Sequence, residues 1–168
     1  MHHRFLRTVL TIALSVLLLP AACGKKDGSD VKEKEAPRTA APLKLVKTDL
    51  PALQVTLQAP EGAVVAGTNV VHVRVDEGFA IDVQKDIFGA KGDDLIIPFE
   101  KNLLKKKLVD QPDLQVWTKD MGDQEGVLFA LVVTVGPQQY YVQSSGTGTF
   151  TRAQIDAMIS SARTIAAQ

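Results

Sequence analysis

The chain has 168 residues, 45% hydrophobic and 23% charged, which suits one globular domain with appendages and is too little for two. Lysine plus arginine and aspartate plus glutamate both number 19, so the formal charge is zero and the basic footprint of a nucleic-acid binder is missing. A lone cysteine, Cys23, excludes a disulfide framework within one chain, and with His2 and His3 near the N-terminus only His72 is left for an imidazole metal site. No metal and no cofactor is therefore expected.

Arg4 and Arg7 precede an uncharged, mostly apolar run from Thr8 to Leu19, which has signal-peptide length and is short for a bilayer span. The run closes on Leu17-Leu18-Leu19-Pro20-Ala21-Ala22-Cys23-Gly24. This stretch resembles a lipobox, the signal of bacterial lipoproteins, with Pro20 in the place where leucine is usual and Leu19 one position further out. The resemblance implies cleavage after Ala22 and acylation of Cys23 by two or more chains, enough for stable membrane anchoring. In such lipoproteins an aspartate after the cysteine commonly holds the protein at the inner membrane, so Gly24 implies the outer membrane, facing the periplasm. The competing reading is ordinary cleavage after Gly24 at Ala22-Cys23-Gly24, which releases a soluble protein.

Three parts follow: a signal over residues 1–22, a lipidated tether over 23–42, and a single domain over 43–168. The tether, rich in alternating charges with Val31 as its only large aliphatic residue, offers too little apolar surface to offset the entropy of ordering. As a flexible coil it has an end-to-end distance of about 25 Å.

Within the domain, Leu53, Val55 and Leu57 alternate with polar residues as in a half-buried strand ending at Pro60. Val71, Val73 and Val75 form the next apolar face, and Phe79, Ile81 and Val83 the one after. A three-residue hairpin loop, Asp76-Glu77-Gly78 with Gly78 left-handed, pairs Val75 with Phe79, keeps both apolar sets on one face and sets His72 opposite Asp82. Leu95 to Val109 reads as a helix capped by Asp93 or Asp94, with Pro98 in its first turn or starting a shorter helix. Its buried stripe is Phe99, Leu103, Leu104 and Leu108, with Lys105, Lys106 and Lys107 near its C-terminal end.

Leu114 to Thr118 reads as a strand and Lys119 to Gly126 as a polar loop. Val127 to Val135 is apolar on both alternating faces, as in a central strand covered on each side. A four-residue turn, Gly136 to Gln139, returns the chain antiparallel over Tyr140 to Thr147, with Tyr140 and Val142 facing Val135 and Val133. Thr151 and Gln154 form a capping box, Phe150 and Ile155 its hydrophobic staple, and Ile155, Met158, Ile159, Ala162 and Ile165 continue at helical spacing.

The hairpin VLFALVVTVGPQQYYVQSSG and the closing helix TRAQIDAMISSARTI resemble the PsbP-like fold. That resemblance implies an α+β domain in which an antiparallel β-sheet is packed between helices, and a protein that docks onto larger assemblies without catalysing a reaction.

His72 and Asp82 have the types of an acid-base dyad, and Ser144 and Ser145 supply hydroxyls, but no spacing joins them to a nucleophile arrangement. No catalytic residue is assigned. Gly146-Thr147-Gly148 lacks the lysine and the glycine spacing of a phosphate loop and reads as a turn. Asp93, Asp94, Asp120, Asp123 and Glu125 match no metal loop and read as solvated acids. Trp117, Tyr140 and Tyr141 are candidate anchors of a partner surface, and Lys101, Lys105 and Lys106 a candidate cationic patch toward the membrane or an acidic partner. The expectation is a lipid-anchored envelope protein acting as a non-catalytic binding, adaptor or assembly factor with an envelope protein as partner. The alternatives are a module for a small apolar ligand and a secreted hydrolase using His72.

Overall fold

A computed structural model describes residues 44–168 apart from Glu77, Ile87, Met121, Asp123 and Gln124. The signal, Cys23 and the tether lie outside the described residues. A short sheet comes first: β1 (Leu45–Leu50) and β2 (Val55–Pro60) form a hairpin, and β10 (Ala166–Ala167) pairs with the other side of β2. The remaining strands are β3 (Val64–Ala66), β4 (Val70–Val75), β5 (Phe79–Lys85), β6 (Leu104–Asp110), β7 (Leu114–Asp120), β8 (Glu125–Val135) and β9 (Gln138–Ser144). They build one antiparallel sheet in the order β3-β4-β5-β9-β8-β7-β6.

The order has a simple origin. Two hairpin-linked meanders, β3 to β5 and β6 to β9, meet where β5 pairs with β9, so the chain leaving β5 must cross to the far edge before β6 begins. Four interstrand spacings separate β5 from β6, about 19 Å. The crossing is made by a strap, residues 86–103, that carries a single 3-10 turn (Gly92–Leu95) and α1 (Pro98–Leu103).

Register divides the sheet into two faces. Val71, Val83, Val142, Leu131 and Leu114 lie in one cross-strand row, all buried. The next row, on the opposite face, reads His72, Asp82, Gln143, Ala130 and Gln115. Helix α2 (Arg152–Ala162) packs on β8, β5 and β9 and also meets β2, with Ile155, Met158 and Ala162 fully buried. The expected capping box starts it: Gln154 N donates to Thr151 Oγ1 at 3.3 Å, and Thr151 N donates to Gln154 Oε1 at 2.8 Å. At its other end Ser161 Oγ donates to the Gln58 carbonyl, and Gln58 N donates to Thr164 Oγ1 at 2.7 Å, which fixes the small sheet to the helix.

The α+β arrangement with a sheet between helices is corrected. Ten strands stand against two α-helices among the described residues, and only α2 exceeds two turns, so the fold is β-rich. The helix expected over Leu95 to Val109 is six residues long, begins with Pro98 at its first position, and gives way at Leu104 to β6. The three lysines read as cations at a helix end lie instead on an edge strand, where unpaired ladder groups of β7 win the backbone and where lysine discourages pairing with another chain. Phe99 and Leu108, expected in a buried stripe, are exposed.

The β4/β5 register is as expected, Val75 with Phe79 and His72 with Asp82, although Asp76 takes a positive φ of 47° in the loop and its Oδ1 accepts from Gly78 N. The β8/β9 turn holds two residues rather than four, with Gly136 at φ 57°. Tyr140 and Val142 accordingly face Val133 and Leu131, a slip of two that leaves every side chain on its expected face. The polar loop expected from Lys119 shrinks, since β7 runs to Asp120 and β8 starts at Glu125.

Candidate functional site

Helix α2 and the small sheet leave the second face of the large sheet to the strap. Leu95 and Ile96 are its buried anchors. Three polar links reinforce them: Tyr141 OH donates to the Leu95 carbonyl at 2.6 Å, Gly92 N donates to the Pro112 carbonyl at 2.8 Å, and Lys119 Nζ donates to Glu100 Oε1 at 2.9 Å. Lys119 also reaches the Gly146 carbonyl at 3.4 Å and stands 5.9 Å from the centre of the Phe99 ring. Both members of the Lys119–Glu100 pair are buried, and Glu100 Oε2, Gln115 Oε1 and Trp117 Nε1 have no hydrogen-bond partner among the described residues.

Where the strap leaves β5 it does not close onto the sheet. A groove of about 630 Å³ remains between the start of the strap, the β1/β2 turn, the β3/β4 turn and the ends of β5 and β9. Leu53, Phe88, Ala90, Ile97 and the Tyr141 ring give it apolar walls, while Thr68, Asn69, Gln84, Lys85, Asp86 and Asp94 supply polar groups. That volume falls within the range of small-molecule sites, about 300–1,000 Å³, and the lining is evenly divided between apolar and polar residues.

Local chemistry explains why the groove stays open. Asp86 Oδ1 accepts from both Phe88 N and Gly89 N at 3.0 Å, Gly89 takes a positive φ of 63°, and the resulting turn throws Phe88 outward, where it is 87% exposed. Asp86 N is tied back to the Gln139 carbonyl at 2.8 Å, so the turn is fixed to the sheet. Below it, burial pushes the Tyr141 phenol well above its ordinary range, and the Asp86 and Glu100 carboxylates push it further the same way. Tyr141 is thus a neutral donor in the groove floor.

The residues singled out in the sequence fall into separate places. Trp117, Tyr140 and Tyr141 are 3%, 5% and 7% exposed, so as partner-surface anchors they are corrected: they are interior groups. Tyr140 OH donates to the Leu53 carbonyl at 3.3 Å, and Tyr141 belongs to the groove. Lys101, Lys105 and Lys106 are exposed as expected, but Lys101 lies 3.8 Å from Asp94 and Lys105 donates to Glu125 at 2.8 Å. That hydrogen bond raises the Lys105 ammonium and holds the Glu125 carboxyl below the usual carboxylate range. Asp110 is held low as well, by Gln115 first and then Lys107, which also pairs with Asp93.

His72 Nδ1 and Asp82 Oδ1 are 2.6 Å apart, with Arg74 3.8 Å from the same carboxylate oxygen. The serine hydroxyls are engaged elsewhere. Ser144 Oγ accepts from Phe129 N at 3.1 Å, and Ser145 Oγ lies 3.5 Å from Arg74 and 3.2 Å from Thr147. The dyad is therefore a cross-strand pair with no hydroxyl bonded to the imidazole among the described residues. Of the acids considered for a cation, Asp123 lies outside the described residues. Among those described, no group of three or more His, Cys, Asp and Glu side chains is placed to hold a metal ion. No helix there is long and apolar enough to cross a membrane.

Sequence reasoning missed Asp86, Phe88 and Ile97 as site residues. One signal was present: Phe88 is a large apolar residue inside a glycine- and aspartate-rich break, a place where no core can use it. Protein-family models, curated proteins and solved structures yield no match to this chain.

Proposed function

We propose that the protein is a lipid-anchored, non-catalytic binding factor of the cell envelope, tethered through acylated Cys23 on the periplasmic side of the outer membrane, and that it binds a small, largely apolar molecule. The groove beneath the strap carries this reading: about 630 Å³, with Leu53, Phe88 and Ile97 among the apolar half of its lining. A protein-docking role has less support, because the three aromatics that were to anchor a partner lie inside. Hydrolysis through His72 lacks a hydroxyl on the imidazole among the described residues. The anchor rests on the lipobox resemblance at Ala21-Ala22-Cys23.

Two measurements test the two halves. Intact mass of protein extracted from membranes should show residues 1–22 removed and acyl mass added; an unacylated chain beginning at Lys25 refutes the anchor. For the groove, phenethyl alcohol is the probe, with the full chain held in phosphatidylcholine nanodiscs. Saturation-transfer NMR should show contact with the wild type that is lost in Ala90→Trp, whose indole fills the space. Equal signals from both proteins, or none from either, refute binding there.

A further inference from the structure

The strap closes over polar groups that its own contacts do not satisfy. Gln115 and Trp117 share a sheet face with Lys119, and the 3-10 turn and α1 pack on β7 above them. Five buried side-chain polar atoms lack a hydrogen-bond partner among the described residues, and three of them, Glu100 Oε2, Gln115 Oε1 and Trp117 Nε1, belong to this layer. Each gives up hydration on closure without replacing it, and the buried Lys119–Glu100 pair beside them also loses its water. The apolar return is small. From Phe88 to Leu103 only Leu95 and Ile96 are buried apolar side chains, while Phe88, Ile97 and Phe99 are exposed. No strand pairs with this segment, and among the described residues one backbone hydrogen bond, from Gly92 N to the Pro112 carbonyl at 2.8 Å, ties it to another part of the fold. The Lys107–Asp93 pair that also crosses to it is exposed and adds little.

We infer that residues 88–103 form a lid, which lifts from the sheet as one unit while the sheet and α2 stay folded. The lifted form is the minor one, and it is reached at a lower free energy than global unfolding. Chain length permits the motion: the strap extends to about 60 Å, about three times the gap of about 19 Å that it spans, so it can rise without moving β5 or β6. Gly89, with φ 63°, lies at one end of the lid, and the change from α1 to β6 at Leu104 lies at the other. Lifting returns Glu100, Gln115 and Trp117 to water and releases the Tyr141 hydroxyl from the Leu95 carbonyl. It also changes the width of the groove. Phe88, Ala90 and Ile97 ride on the lid, whereas Leu53, Gln84 and Tyr141 stay with the strands and the β1/β2 turn. The lid is a property of the fold and holds whichever ligand the groove takes.

Hydrogen exchange tests this on the full chain in phosphatidylcholine nanodiscs, at neutral pH and without ligand, read by mass spectrometry with fragmentation to single residues. The reporters on the lid are the amides of Gly92 and Ile96, which donate to the Pro112 and Asp93 carbonyls at 2.8 Å and 3.2 Å. After correction for intrinsic rates both should exchange alike, and about 100-fold or more faster than the amides of β8 and β9. Thr151→Ala, which weakens the start of α2, separates lifting from global unfolding. It should speed exchange in β8 and β9 about fivefold and leave Gly92 and Ile96 unchanged, because α2 is intact whether the lid is down or up. Protection of Gly92 and Ile96 equal to that of β8 and β9 overturns the lid, since the polar layer is then stable in the closed fold. Exchange at these two amides that rises fivefold with Thr151→Ala overturns it as well, because the segment then opens only when the domain unfolds. Protection of Gly92 and Ile96 that differs by about tenfold or more overturns the single unit. None of these outcomes bears on whether the groove binds phenethyl alcohol, so the lid and the proposed function fail separately.

Discussion

Lys119→Met is the most informative single perturbation of the strap. The wild-type ammonium, 6% exposed, meets a carboxylate that is 9% exposed, at 2.9 Å, and nothing else described pairs with the other oxygen of Glu100. Methionine keeps the stem volume and removes the charge, the contact to the Gly146 carbonyl and the approach to the Phe99 ring. What is left is a carboxylate stranded between strap and sheet, for which the expected cost is about 3–5 kcal/mol. The strap sets a ceiling on that cost, because lifting α1 returns Glu100 to water at the expense of the buried Leu95 and Ile96 side chains, about 1.5–3 kcal/mol each.

Urea unfolding followed by tryptophan fluorescence reads this directly. Trp117 is the only tryptophan, is buried, and points to the same face as Lys119 two residues on. With a urea slope of about 2 kcal/mol/M, the midpoint should fall by about 1.5–2.5 M. Glu100→Leu combined with Lys119→Met should recover the wild-type midpoint to within about 0.5 M, since a buried ion pair replaced by apolar residues is often close to neutral. A single Lys119→Met variant indistinguishable from wild type would refute the argument that this pair seats the strap.

Thr151→Ala removes the hydroxyl that accepts from Gln154 N and should cost about 1 kcal/mol in the same urea assay, with the folded-state spectrum unchanged. Gly67→Ala should be worse, by about 1–3 kcal/mol or more, because Gly67 has φ 99° and a Cβ there would lie 2.1 Å from the Val70 carbonyl oxygen. Tyr141 predicts an alkaline limit. Its folded-state phenol is raised, mainly by burial, so the unfolded chain releases a proton above pH about 10 that the folded chain retains, and stability must fall as pH climbs through that value. Absorbance titration should show Tyr141 ionising together with unfolding, and Tyr141→Phe should remove that part of the pH dependence; reversible ionisation of Tyr141 near its ordinary value in the intact fold would contradict it.

What could be read from the sequence was what neighbouring residues encode between themselves. Loop length and alternation over Val71 to Val83 set the β4/β5 register and put His72 against Asp82. Thr151 and Gln154 signal a helix start within four residues. Leu104 to Asp110 misled because its partner β7 lies across a turn, and nothing within the segment says that a strand edge awaits it. β1 carries mostly exposed and half-buried residues, and β10 is two alanines, so neither has a pattern of its own. The groove is the extreme case: residues near positions 53, 69, 86, 97 and 141 converge only after the sheet is assembled.

The seam between β5 and β9 ties the architecture together while leaving one piece of it free to vary. Register there is enforced by the buried row through Val83 and Val142, whereas the strap only has to bridge from one meander to the other. Each doubling of such a bridge adds about 0.6 kcal/mol of closure entropy. Insertions between Phe88 and Lys91 would therefore reshape the mouth of the groove with little penalty to the sheet, so that recognition can diversify while the scaffold beneath it stays in register.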